Sequence, residues 1–212
     1  MSDTEGAWDE YIEAGRVHLS RDPVMAELVA SWPPPEQRSS DGLYVDLLDT
    51  IVSQQLSVKA AAAIMERFLD LFPGRDPEPD LILAAPEERL REAGLSRAKI
   101  RYVRGIARAL KDGEIDLPGM AALPDEEFIR DLTRLKGVGR WTAEMLLIFS
   151  LGRQDIFSIG DLGLRTAVAR HYGIDRDDRE AIARIAEAWS PFRSLACHYL
   201  WMSLSNTPSI GA

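Results

Sequence analysis

Apolar residues in this chain recur every three or four positions and nowhere at intervals of two. In "LYVDLLDTIVSQQLSVKAAAAIMERFLDLF" they fall at Leu43, Leu47, Ile51, Leu56, Ile64, Phe68 and Leu71, spacings that line one side of a helix. A half-buried strand needs strict alternation, and no run supplies it. The chain is therefore all-α. Proline and glycine set the punctuation. "FPGRDPEPD" carries three prolines and a glycine and forbids continuation of the helix before it, while Gly94 and Gly113 stop the short runs before them. "LPDEEFIRDLTRL" opens with Pro124, Asp125 and two glutamates, a favourable first turn. "RWTAEMLLIFSLG" is apolar on most sides, as a buried helix must be. The pattern predicts roughly eight to ten helices. With 212 residues, 46% of them hydrophobic, they form one large domain or two small lobes sharing a core.

Composition narrows the class further. No apolar run approaches the roughly 18 residues of a transmembrane helix, so no membrane role is expected. The start, "MSDTEGAWDEYIEAG", is acidic and lacks the basic and apolar regions of a signal peptide. Cys197 is the only cysteine, which excludes a disulfide framework, a multi-cysteine zinc site and a cluster held by four thiolates. His18, His171 and His198 have no ligand spacing. These features suit a cytoplasmic protein, nucleoid-associated in a bacterium. The net charge of −9 argues against a nucleic-acid partner until its distribution is read. Residues 1–50 hold 11 acidic and 3 basic side chains, nearly the whole imbalance. "RLREAGLSRAKIRYVRGIARALK", Arg89 to Lys111, holds eight basic residues against one acid, Glu92. That stretch is either a solvated helix face or a surface for phosphates.

"RLKGVGRWTAEMLL", Arg134 to Leu147, places two glycines around one valine between helical stretches. A dinucleotide fingerprint would need a strand before the pair and a third glycine after it. Here a helix precedes, with Phe128, Leu132 and Leu135 on one face, and Thr142 stands where the third glycine would be. What remains is helix, tight turn, helix. Gly137 and Gly139 would allow positive φ and close approach of a partner to the backbone. The following helix start would offer unpaired amides to an anion. Thr142 could add a hydroxyl, and Lys136 and Arg140 charge. The guest is a backbone phosphate, unless the two helices merely turn a corner.

"LKGVGRWTA" resembles the hairpin of the helix-hairpin-helix DNA glycosylase superfamily, in which an aspartate follows about twenty residues on. "FSIGDLGLRTAV" supplies Asp161 there. "IVSQQLSVKAA" (51–61) and "WSPFRSLACHYLW" (189–201) resemble two further signatures, those of the 3-methyladenine DNA glycosylase II branch. The likeness spans about residues 43–205. It implies two helical lobes with a DNA-binding cleft between them: lobe one approximately 1–45 plus 155–212, lobe two approximately 46–154 with the hairpin at 130–145. It further implies a monomeric base-flipping enzyme of base excision repair, acting on double-stranded DNA that contains damaged bases.

Site roles follow from the same resemblance. On its residues alone, Asp161 beside Gly160 reads as a helix N-cap; the family pattern makes it the catalytic aspartate. Both roles suit a carboxylate, whose negative charge stabilises the cation that develops on the sugar as the N-glycosidic bond breaks. Branches that also cut the strand carry a lysine after Arg140, which would form a Schiff base. Trp141 stands there, implying a monofunctional enzyme that leaves an abasic site. Trp141 and Trp201 match aromatic positions of the pocket, where π faces select a cationic alkylated base, and Met145 and Leu162 replace aromatics. Gln54, Gln55 and Leu56 fall where relatives insert a minor-groove wedge, with Gln55 favoured. Arg97, Lys99 and Arg101 would flank the gripped strand. No cofactor is required, although the carbonyls of Thr133, Leu135 and Val138 match those that hold Na+ or K+ at the hairpin of relatives. Two rivals stand beside this reading: a non-catalytic helix-hairpin-helix DNA-binding module, and a same-fold glycosylase for oxidised or mismatched bases.

Overall fold

The structure, a computed structural model, describes residues 3–37 and 42–204. Among them the regular structure is thirteen α-helices and one 3-10 turn, without a strand. The all-α expectation holds, while the helix number exceeds eight to ten because three helices have only five or six residues. Pieces so short, begun next to prolines, cannot display a 3.6-residue period. No described helix is long and apolar enough to cross a membrane. The described residues divide into two compact units, one formed by 3–37 together with 152–204, the other by 42–151.

The second unit contains α3 (Leu43–Ser53), α4 (Val58–Leu69), α5 (Pro79–Ala84), α6 (Glu87–Glu92), α7 (Arg97–Lys111), α8 (Leu117–Ala121), α9 (Asp125–Leu132) and α10 (Arg140–Phe149). The long periodic run from Leu43 is not one helix. It breaks at Gln54–Ser57 without a glycine or proline, and Ser57 caps α4 by accepting from the Ala60 amide. Helix α7 buries Ile100, Val103, Ile106 and Ala107 and leaves Arg97, Arg101 and Arg108 outside. Helix α10 is buried from Thr142 to Phe149 and packs on α3 and α9. Leu47, Ile51, Phe68, Phe128, Leu132 and Leu146 are fully enclosed, each stabilising the fold by about 1.5–3 kcal/mol.

The first unit contains α1 (Asp3–Leu19), α2 (Pro23–Ser31), α11 (Leu162–Tyr172), α12 (Arg179–Glu187) and α13 (Arg193–Ser203). Asp22 caps α2 through the Val24 and Met25 amides and accepts the Tyr172 hydroxyl at 2.7 Å, tying α2 to α11. Asp155 takes both Nε and Nη2 of Arg193 and the Ser190 hydroxyl, fixing the start of α13. Helix α13 packs along α11, with Leu195, Tyr199, Leu200 and Trp201 in the core. Trp201 is fully enclosed, although its indole N–H must find an acceptor there.

Candidate functional site

In the second unit, the turn between α9 and α10 carries the glycine pair. Gly137 has φ of 94°, and a Cβ there would land in the ring of Tyr102 from α7. Gly139 differs from expectation. Its φ is −98° with extended ψ, it serves as N-cap of α10, and an added Cβ would meet open space. Only Gly137 therefore needs glycine for the chain's own conformation. At Gly139 the missing Cβ leaves room over the amides of α10, and the cap contributes no side chain to them. Lys136 is exposed beside this turn.

Thr142 and Arg140 are placed otherwise than expected. Thr142 is buried, and its hydroxyl accepts from Gln54 Nε2 at 3.4 Å. Arg140 donates to both oxygens of Glu126, at 3.0 and 2.5 Å, and through Nε to Glu144 at 2.8 Å. These partners hold its guanidinium well above the usual arginine range, the Glu126 hydrogen bonds contributing most. Arg140 thus stabilises the buried Glu144 and orders the first turn of α10, and its charge is already matched. The carbonyls of Thr133 and Val138 accept no hydrogen bond among the described residues, while Leu135 accepts the Val138 amide with one lone pair. Carbonyl oxygens with spare lone pairs are the donor type that a monovalent cation would take.

The α3–α4 turn lies against the hairpin. Gln54 Nε2 donates to the Gly137 carbonyl at 3.1 Å, so this side chain points inward and is not a wedge. Gln55 has φ of 60°, a left-handed conformation costing a non-glycine residue about 1–2 kcal/mol. Gln55 is exposed and Leu56 is 38% exposed, so both keep surface for a groove. Lys99 is another correction. Its Nζ donates to the carbonyls of Val52 at 2.6 Å and Gln54 at 2.9 Å, capping the end of α3 instead of facing solvent. Desolvation pulls its pKa below the ordinary lysine value. Arg97 and Arg101 are exposed and form no ion pair among the described residues, whereas Arg104 donates to the Ala85 carbonyl and Lys111 pairs with Asp80.

In the first unit, Asp161 is the N-cap of α11. Its Oδ1 accepts from the Leu164 amide at 2.7 Å and from Trp201 Nε1 at 3.1 Å. Asp161 is buried, at 8% exposure, and these two donors fix its carboxylate. Trp201 is therefore sealed behind Asp161 and orients it; it offers no face to a base. Met145 is likewise fully buried in α10. Of the four expected pocket residues, only half-buried Trp141 and 56% exposed Leu162 keep accessible surface. Leu162, Gly163, Thr166 and Leu204 line an open hollow of about 420 Å³ beginning one residue past Asp161. Leu204, at the end of α13, and Tyr102, under Gly137, are contributors the sequence did not suggest.

Comparison with known proteins gives the following. Residues 48–191 match the family described as HhH-GPD superfamily base excision DNA repair protein. DNA-3-methyladenine glycosylase 1 of Schizosaccharomyces pombe is 36% identical over 180 residues, spanning 84% of this chain and 79% of its own length. A solved S. pombe 3-methyladenine DNA glycosylase in complex with abasic DNA superposes with a TM-score of 0.83 at 34% identity, over 91% of this chain and 97% of that one. A DNA-3-methyladenine glycosidase structure from Bacillus halodurans gives 0.76 at 33% identity, over 88% and 86%.

Proposed function

Because the chain belongs to the HhH-GPD superfamily of base excision DNA repair proteins, we propose that it is a DNA glycosylase that removes alkylated bases, of the 3-methyladenine and 7-methylguanine type, from duplex DNA. The observation that carries this reading is Asp161, a buried carboxylate held at the start of α11 by a main-chain amide and a buried indole N–H. The DNA-binding module of the same fold has no use for such a group. Its similarity to proteins named 3-methyladenine DNA glycosylases supports the choice of substrate over oxidised or mismatched bases.

The chemistry follows from charge. Methylation at a ring nitrogen makes the base cationic and hence a good leaving group, so no strong general acid is needed. As the bond to C1′ lengthens, positive charge grows on the sugar, and the carboxylate fixed opposite it is stabilising where water would have to reorganise. Asp161 also orients the attacking water and accepts its proton. Extrusion of the base precedes this step. The hairpin amides and Lys136 hold the phosphates, Arg97 and Arg101 extend that hold, and Gln55 or Leu56 fills the vacated stack. The carbonyls of Thr133, Leu135 and Val138 would hold Na+ or K+, which would stiffen the turn electrostatically; the reaction itself uses no cofactor. Trp141 provides no amine, so the product is an intact strand with an abasic site, made by a monomer.

The test is incubation with methylated duplex DNA and identification of the released bases. Asp161→Asn keeps the amide contact and is expected to bind an abasic duplex as before, while base release falls by at least 100-fold, on the order of the loss of one electrostatic stabiliser. A wild-type rate in that variant excludes the mechanism. Borohydride should trap no covalent enzyme–DNA complex.

A further inference from the structure

Three parts of the second unit meet where no single one of them would suggest a function. The turn that carries Gln55 and Leu56 follows the end of α3, whose last carbonyls lack helical partners. Lys99 reaches across from α7 and caps two of them, those of Val52 and Gln54. From the same Gln54, the side-chain amide crosses to the hairpin, where it donates to the Gly137 carbonyl and to Thr142 Oγ1. A continuous chain of hydrogen bonds therefore runs from a lysine on α7, through the wedge turn, to the glycine turn and the first turn of α10. Gln54 takes part at both of its ends, backbone and side chain. Ile51, Val52 and Val138, beside these contacts, are buried.

Resting on the glycosylase reading, we propose that Lys99 and Gln54 are positioning residues: they lock the wedge turn to the phosphate-binding turn, so that gripping the backbone fixes where Gln55 and Leu56 enter the duplex. Gln55 holds a left-handed backbone conformation that an unsupported turn would relax. With the strut intact, the conformation is set before DNA arrives, and the entropy of ordering the wedge is not lost at the moment of base extrusion. With the strut cut, the hairpin still grips phosphates, but the wedge enters as a mobile loop. The depressed pKa of Lys99 accords with a cation removed from water to serve main-chain acceptors.

The experiment compares the full-length wild type with Lys99→Met, Lys99→Arg and Gln54→Glu. Gln54→Glu keeps shape and volume but cannot donate. Affinity for an undamaged duplex is expected to stay within twofold. Base extrusion, followed by fluorescence of 2-aminopurine beside a 7-methylguanine, and release of that base are expected to slow at least tenfold in Lys99→Met and Gln54→Glu. Lys99→Arg should recover to within threefold. Placing the lesion in a mismatch, already unstacked, should shrink the deficit to under threefold. Parallel loss of duplex affinity and release, or wild-type extrusion in Lys99→Met, overturns the proposal. Amide exchange separates it from the activity itself: even if the wild type releases no alkylated base, faster exchange at both 54–57 and 137–139 in Lys99→Met and Gln54→Glu supports the strut. Unchanged exchange at 137–139 removes it.

Discussion

Asp161 and Trp201 are far apart in sequence, and each satisfies a need of the other. A fully enclosed indole must place its N–H, and a carboxylate at a helix start must be kept from swinging into solvent. Trp201→Phe retains most of the buried ring and deletes only the donor. A hydrogen bond to a charged group contributes about 1.5–3 kcal/mol. The variant should therefore fold, bind an abasic duplex unchanged, and lose roughly tenfold or more in single-turnover release of 7-methylguanine. If the rate holds while stability falls, Trp201 serves packing alone. The glycine pair separates in the same way. Gly137→Ala puts a methyl into Tyr102 at a positive φ, so a loss of about 2–4 kcal/mol is expected in denaturant unfolding. Gly139→Ala meets open space and should change stability by less than about 0.5 kcal/mol. Its cost should appear in duplex affinity, because on the proposed reading the methyl would stand where a phosphate approaches the α10 amides.

At the scale of elements, α7 shows what periodicity can and cannot assign. Its apolar face was legible because Ile100, Val103, Ile106 and Ala107 repeat at helical spacing. The basic residues read as one group, yet helix geometry had already divided them. Arg101 stands one turn from Arg97, whereas Lys99 is about 200° around from Arg97 and close to the Val103 stripe. The inward turn of Lys99 was thus partly readable; its targets, two carbonyls of α3, were not, since they are tertiary. Gln54 and Thr142 were misplaced for the same reason, since their partners lie on other elements, and so does Glu126, which holds Arg140 from α9; only its second partner, Glu144, stands one turn along the same helix. The glycine turn and Asp161 were legible because short-range backbone demands mark them. A prediction follows for α7. Arg97→Gln and Arg101→Gln should each reduce the slope of log K against log salt by about 0.9, with stability intact. If Lys99→Gln alone shows that same salt signature without slowing extrusion, Lys99 contacts phosphate after all.

For the whole molecule, a net charge of −9 and a polyanionic partner have to be reconciled. On the proposed reading the contact surface escapes the conflict because phosphate binding is local: exposed Arg97, Arg101 and Lys136 would act within a few ångströms, a range over which salt screens little. Approach is different. Asp9, Glu10 and Glu13 are exposed on α1, in the stretch that holds 11 of the chain's acids, and their field extends about 30 Å at 0.01 M salt but only about 10 Å at 0.1 M. Repulsion of that range should lower the encounter rate without touching the bound state. Neutralising the three together as Asn and Gln is expected to raise the association rate for duplex DNA several-fold at 0.01 M salt. The dissociation rate and the rate of base release should not move. Near 1 M, where the screening length is about 3 Å, the gain should vanish. Stopped-flow association across that salt range checks it. A gain that persists at high salt, or appears in dissociation instead, would mean that α1 touches DNA and that its acids shape the complex itself.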